Sequence, residues 1–322
     1  MIEKTLKRIE NLKNQTIGVE VEMNNITRCQ AAKIAATFFG IGRYENTERT
    51  NGYSTYSAWD NQGREWKFQK DVSIAGDDLH KCELVTPILN YNDIEILQEL
   101  CRRLRKAGAK SDATRGCGVH IHIGAKGHTP QTLRNLANIM ASHESLLAES
   151  LKLDTYRISR YCRTVDPRFL EELNNVKPTS MAKLADIWYT SQGENYGRNQ
   201  HYNASRYRML NLHATFTKGT VEFRLFQFDA PTQEKQNGIH AGQLKSYIQL
   251  CLALSEMAKQ VRTASAKPQQ HENPKYAMRT WLLRLGFIGD EFATARDILT
   301  TTFPIRIDYT RIGKFLLSHN GS

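Results

Sequence analysis

Three pairs of polar residues recur at i, i+2 spacing along apolar runs: Glu20 and Glu22 in GVEVEMN, His120 and His122 in GCGVHIHIG, and Glu222 with Arg224 in TVEFRLF. On a strand, residues two apart point to the same side. Each pair therefore offers two polar groups to one surface, while the interleaved Val, Ile, Phe and Leu face the other. Glu83 stands beside Val85 in CELVTPI, and Asp71 lies in EWKFQKDVSI, where Lys67, Gln69, Asp71 and Ser73 are expected to share a strand face. Carboxylates gathered on one sheet face repel one another, and taking each out of water is costly. A divalent cation resolves that conflict. Mainly oxygen donors with an imidazole among them suit Mg²⁺ or Mn²⁺, whereas zinc favours more His or Cys.

Each feature alone has an ordinary reading. Glu-x-Glu on a strand is commonly a solvated face, His-x-His can be a hydrogen-bonded core pair, and a Glu next to an Arg can be a surface ion pair worth little. Asp71 is the weakest of the set. It is their joint occurrence on otherwise apolar strands that points to a site. The chain has no G-x-x-x-x-G-K-[ST] loop and no G-x-G-x-x-G turn after a strand. A bound nucleotide would need metals and arginines for its phosphates, and Arg206, Arg208 and Arg224 are available near the last acidic strand.

The elements that must carry these residues follow from periodicity. TIGVEVEMN alternates and reads as a strand. A short helix is expected over CQAAKIAATFF, then a Gly-, Tyr- and Asn-rich bend, then the strands EWKFQKDVSI and CELVTPI, the latter stopped by Pro87. NDIEILQELCRRLRKAG has helical spacing, with Asn92 or Asp93 to cap it and Gly108 to end it. The histidine strand comes next, then a helix opened by Pro130. Residues 154 to 200 read as short helices and loops, and MLNLHATFTKGTVEFRLFQF as a hairpin turning through Thr217, Lys218 and Gly219. A long helix is expected from about Ile239 to Val261. TASAKPQQHENPK is a linker candidate, followed by the helical YAMRTWLLRLGF and GDEFATARDILTTTF. The expectation is an α+β fold with a largely antiparallel sheet flanked by helices. Residues 1–262 would form the catalytic domain and 263–322 a helical C-terminal extension.

The 322 residues can bury a large core, and 40% hydrophobic with 24% charged residues is usual for a globular protein. No apolar run approaches bilayer length, and MIEKTLKRIENLKNQ lacks the apolar stretch of a secretory signal. A cytoplasmic protein with no membrane partner is expected. The six cysteines are scattered, without C-x-x-C, which argues against a zinc ribbon or redox motif. Forty-four Lys and Arg against 33 Asp and Glu give a net charge of +11, which favours an anionic partner such as a nucleotide, an acidic peptide or nucleic acid.

In order, GVEVEMN, FQKDVSI, CELVTPI, GCGVHIHIG, RYRMLNLHA and TVEFRLF resemble the motif series of the amidoligase family, in the carboxylate-amine ligase group built on the glutamine synthetase fold. The resemblance covers residues 16 to 255, and the tail after about residue 263 lies outside it. It implies an ATP-dependent, ADP-forming ligase that joins a carboxylate and an amine substrate through an acyl phosphate, with Mg²⁺ or Mn²⁺. Carried over motif by motif, it implies that Glu20, Glu22, Glu83, one of His120 and His122, and Glu222 bind metal, and that Arg224 meets the phosphates. Arg206 and Arg208 match the basic segment upstream, with no choice between them, and Asp71 is a further metal or substrate contact. The second histidine would bind substrate or support a ligand. Two rivals use the same residues: a two-metal phosphodiesterase or nuclease, and a non-catalytic binding protein on the same fold. An acidic peptide or protein acceptor, met by the Arg- and Tyr-rich region 156 to 208, would fit the net charge.

Overall fold

A computed structural model describes residues 2–48, 53–233, 238–268 and 270–303. Along the chain run α1 (Ile2–Lys13), β1 (Ile17–Met23), α2 (Arg28–Phe39), β2 (Tyr44–Glu48), β3 (Thr55–Trp59), β4 (Glu65–Gln69), β5 (Cys82–Val85), α3 (Ile94–Lys106) and β6 (Val119–Gly124). There follow α4 (Pro130–Ser150), α5 (Thr155–Arg160), α6 (Pro167–Val176), α7 (Met181–Gln192), β7 (Leu210–Asn211), α8 (His213–Thr217), β8 (Thr220–Phe226), α9 (Ala241–Gln260), α10 (Pro274–Leu285) and α11 (Ala293–Thr301). The eight strands form one antiparallel sheet in the order β2-β3-β4-β5-β1-β6-β8-β7. Among the described residues no helix is long and apolar enough to cross a membrane.

One sheet face is apolar because the strand period puts Ile17, Val19 and Val21 of β1 opposite Ile123, Ile121 and Val119 of β6, with Leu84 and Phe223 on the flanking strands. Helices α2 and α9 cover it. Helix α2 starts at a capping box between Thr27 and Gln30 and stops at Gly40, which takes the left-handed conformation at φ 77°. Helix α9 is buried nearly all round, because α1, α3, α4, α10 and α11 pack on it while it lies against β6. Leu282, Leu285 and Phe292 of the C-terminal segment thus share one core with the sheet. The part of the expected extension beyond Phe303 lies outside the described residues.

Three local expectations are corrected. The Tyr- and Asn-rich bend contains β2 and β3, whose polar residues pair across strands: Thr55 Oγ1 donates to Glu48 Oε2 and Ser57 Oγ to Glu65 Oε1, both at 2.7 Å. The strand expected through Asp71 ends at Gln69, because the Asp71 carboxylate accepts from Ser73 N at 2.6 Å and closes a turn. The first arm of the expected hairpin is only Leu210–Asn211, since Asn211 Oδ1 accepts from His213 N at 2.9 Å and α8 begins. The opening residues, expected only to be no signal, form α1.

Glu144 on α4 offers a stability test away from the sheet. It is buried, and Oε1 accepts from Val165 N at 2.8 Å. Burial pushes its carboxyl up to about 7, against the smaller opposing effects of that hydrogen bond and of Arg208. The folded state then holds a proton that the unfolded chain releases near 4.5. This group's contribution is complete below about pH 4.5 and is lost as pH rises through about 7, for about 3 kcal/mol in all. Glu144→Gln keeps the acceptor oxygen and removes the titration. Denaturant unfolding at about pH 5 and about pH 8 should show a smaller fall in stability for the variant, and an equal fall in both proteins would refute the assignment.

Candidate active site

The register of β1 with its neighbours builds the polar face. Glu22 lies opposite Glu83 of β5, Glu20 opposite His120 and Gly18 opposite His122 of β6, His122 opposite Glu222 of β8, and Glu222 opposite Asn211 of β7. Residues opposed across antiparallel strands share a face. Glu20, Glu22, Glu83, His120, His122 and Glu222 are therefore brought together, with Arg224 two residues along β8. All except Glu20, which is half-buried, are less than a tenth exposed.

Three triads can each hold a cation: Glu20, Glu83 and His120; Glu20, His122 and Glu222; Glu22, Asp71 and Glu83, with ligand atoms in each within 4.8 Å of one another. Glu20 and Glu83 are each shared by two triads, so the set is continuous. His120 Nδ1 lies 3.0 Å from Glu20 Oε2, and Nε2 lies 3.7 Å from Glu22 Oε1. His122 Nδ1 meets Thr220 Oγ1 at 2.8 Å, while Nε2 is buried without a hydrogen-bond partner, 3.3 Å from Glu20 Oε1 and 3.8 Å from Glu222 Oε1. A ring fixed through one nitrogen, with the other left over among carboxylates, suits metal ligation. The oxygen-rich donor set fits Mg²⁺ or Mn²⁺.

The charges agree with this geometry. Burial drives the Glu20 carboxyl up, but His120 and His122 outweigh it and hold it well below the usual range. Burial also acts first on Glu222, and the charges of Arg224 and His122 then bring it down to about 2. Glu83 goes the other way: burial and the charges of Glu20, Glu22 and Asp71 push it well above the usual range, and the Gln69 amide, 2.7 Å from Oε2, only partly offsets them. Its negative charge is disfavoured on this face unless a cation joins it. Glu83→Gln should therefore melt at a higher temperature than the wild type in chelator, and gain less from added Mg²⁺. A lower melting temperature in chelator would contradict this account.

Asp71 stands in the turn after β4 but still reaches the Glu22 and Glu83 carboxylates. Arg224 donates from Nη1 to Glu222 Oε1 at 2.5 Å, and its Nε is buried without a partner. Arg206 lines the cavity over the sheet face. Arg208 does not: it donates to Asp166 Oδ2 at 2.8 Å, Gln192 Oε1 at 2.9 Å and Thr164 O at 2.9 Å, which ties it into the wall formed by α6 and α7. The fold thus does not bring Arg208 together with the other residues of the sheet face. Residues with no strand-period signal also join the site. Asn211 donates to Glu222 Oε2 at 2.6 Å, and Lys218, read as a turn residue, brings Nζ to 3.8 Å from Glu20 Oε1. The glycines before the histidine strand have specific duties. Gly118 N donates to Glu22 Oε2 at 2.6 Å, and a Cβ there would clash with the Arg157 guanidinium. Gly116, at φ 67°, backs onto Ser73 O, which a Cβ would meet at 2.5 Å.

Two cavities adjoin on this face. One of about 330 Å³ contains Glu20, Glu22, Asp71, Glu83 and His120, walled by Arg157, Arg206, Arg224 and four tyrosines. The other, of about 380 Å³, is largely apolar, lined by Gly18, Val85, Pro87 and Ile88 together with His122 and Lys126. Glu20, Val85 and Lys218 line both.

An acidic, histidine-bearing face of an antiparallel sheet, with Arg224 beside it, gathers donor groups that could hold a metal ion. The chain belongs to the amidoligase family, described as "Putative amidoligase enzyme", which it matches over residues 13–255. No curated protein matches it. Among solved structures it is similar to a bifunctional glutathione synthetase from Pasteurella multocida, at 13% identity and a TM-score of 0.42, over 99% of this chain and 51% of that one. The chain thus spans about half the length of that relative.

Proposed function

We propose that the protein is an ATP-dependent ligase that joins a carboxylate to an amine through an acyl phosphate, on a sheet of the glutamine synthetase catalytic-domain type. The observation that carries this reading is the run of three triads linked through Glu20 and Glu83, ending at the Glu222–Arg224 pair. Mg²⁺ or Mn²⁺ held there would neutralise the phosphate charge of ATP. The apolar slot beside His122 suits a nucleobase, and the polar cavity suits the two substrates.

Arg224, fixed by Glu222, lines the polar cavity, where its guanidinium would stabilise charge on the transferring phosphoryl group. A substrate carboxylate oxygen attacks the γ-phosphorus and the bond to ADP breaks. The amine nitrogen then attacks the acyl carbon and inorganic phosphate departs, while the amine's proton passes to a carboxylate or imidazole of the same face. His122, anchored by Thr220, would act as a metal ligand, and His120, engaged by Glu20, would support the carboxylates of its own triad. The net charge of +11 and the cations of the cavity wall favour an acidic substrate, including an acidic peptide.

The test is incubation with ATP, Mg²⁺ and mixtures of amino acids, polyamines and acidic peptides, followed by ADP, phosphate and product masses. ADP release should require both a carboxylate and an amine, and should vanish in Glu222→Ala. ADP release without a new amide, or metal-dependent cleavage of nucleic acid without ATP, would overturn the reading.

A further inference from the structure

The polar cavity has a buried floor and an exposed outer end. Glu22, Glu83 and His120 on the sheet face are 3 to 4% exposed, whereas Tyr202, which lines the same cavity, is 60% exposed. At that end Tyr202 meets Tyr53, also a lining residue. Their phenol oxygens lie 2.9 Å apart and share a hydrogen bond, between positions 149 residues apart in the chain. Tyr53 leads into β3 and Tyr202 follows α7, so the bond joins two walls of the cavity across its outer end.

Each ring is held by its own wall. Ser54, next to Tyr53, takes φ 47°, in the left-handed region that residues with a Cβ seldom occupy. Its carbonyl accepts from Arg28 Nε at 3.1 Å, and Arg28 Nη1 donates to Asp78 O and Lys81 O at 2.8 and 2.6 Å, which fixes this turn to the segment after β4. On the other side Asn203, 5% exposed, donates from Nδ2 to Glu194 O and Tyr196 O at 3.2 and 3.0 Å. The His201 ring meets the Tyr202 ring edge to face, with centres 4.7 Å apart. The walls are thus firm, while the bond between them is one of two hydroxyls that water can replace. Such a bond contributes little net stability, so it opens and closes at small cost.

We propose that Tyr53 and Tyr202 are positioning residues that close the polar cavity over both substrates, so that the amine and not water reaches the acyl phosphate. The inference rests on the ligase reading for the intermediate it protects. Left open, the cavity admits water: its oxygen attacks the acyl carbon, the carbon–oxygen bond to phosphate breaks, and carboxylate, inorganic phosphate and a proton result, with ATP consumed and no amide formed. Closed with both substrates bound, it leaves the amine nitrogen as the nucleophile in reach.

The experiment compares the full chain with Tyr53→Phe, Tyr202→Phe and the double variant, which keep both rings and lose the bond. In the ligase assay the ADP formed in excess of amide should rise by roughly two- to tenfold in each single variant, the equilibrium factor of one hydrogen bond. The double variant should match the singles, because either change removes the same bond. Tyr196→Phe, in the same loop but 96% exposed, should leave that excess as it is. A second readout needs no ligation: a maleimide should label Ser73→Cys, inside the cavity, faster by a similar factor in the same backgrounds, as measured by mass spectrometry of the peptide that carries it. Unchanged labelling, an unchanged excess of ADP, or effects that add in the double variant overturn the proposal. Faster labelling with no amide from any substrate mixture, in wild type as in the variants, would sink the ligase reading while leaving the closure itself standing.

Discussion

Replacing Glu20 with glutamine is expected to lower ligase turnover by roughly 10³-fold at saturating Mg²⁺, a loss of the size seen when a main electrostatic contact to the transition state is removed. Glu20 belongs to two of the three triads and touches both histidines. Glutamine keeps the volume and one oxygen but not the charge, so two cation positions weaken together. The same change should also lower stability in chelator, because the folded environment holds the Glu20 carboxyl well below its ordinary range and so favours its charge. That is the opposite sign from Glu83→Gln, whose charge the fold disfavours. Turnover and melting temperature, measured on both variants, separate the two carboxylates. A loss of turnover under about tenfold in Glu20→Gln would remove Glu20 from the metal ligands.

Arg224→Ala should destabilise the fold by about 3–5 kcal/mol, because it leaves the Glu222 carboxylate buried without its partner. Glu222 Oε1 accepts from Arg224 at 2.5 Å, and both side chains are nearly inaccessible to water. The double change Glu222→Leu with Arg224→Met should recover most of that stability, since an apolar pair of similar size avoids the desolvation of two ions. It should recover no turnover. Denaturant unfolding measures the first effect and ADP release the second. If Arg224→Ala costs under about 1 kcal/mol, the pair is no more than a surface-like contact and its fixed geometry cannot be invoked. Recovered turnover in the double variant would remove both residues from the chemistry.

The sequence by itself determined which residues could face together along each strand. Glu20 with Glu22, His120 with His122 and Glu222 with Arg224 were legible because a strand's two-residue period is set by its own backbone. The periodic helices α3, α4 and α9 were legible for the same local reason, and the motif order carried the family. Which strands became neighbours was decided by tertiary structure: β1 lies between β5 and β6, and that register alone sets Glu22 against Glu83 and Glu20 against His120. Arg206 and Arg208 show the limit most clearly. Their spacing matches that of the strand pairs, but a 3₁₀ turn ends at Arg206, and Arg208 finds Asp166, 42 residues earlier, so one faces the cavity and the other the wall. Asp71 left the strand for a turn through its bond to Ser73, yet the fold returned it to Glu22 and Glu83. Strands β2 and β3 were hidden because their buried hydroxyls and carboxylates satisfy one another across the sheet, which removes the apolar alternation that marks a strand. Lys218 reached Glu20 only because the chain turns there beside β1. Local period is written in the order of side chains, whereas pairing and burial depend on partners far along the chain that leave no mark on the local pattern.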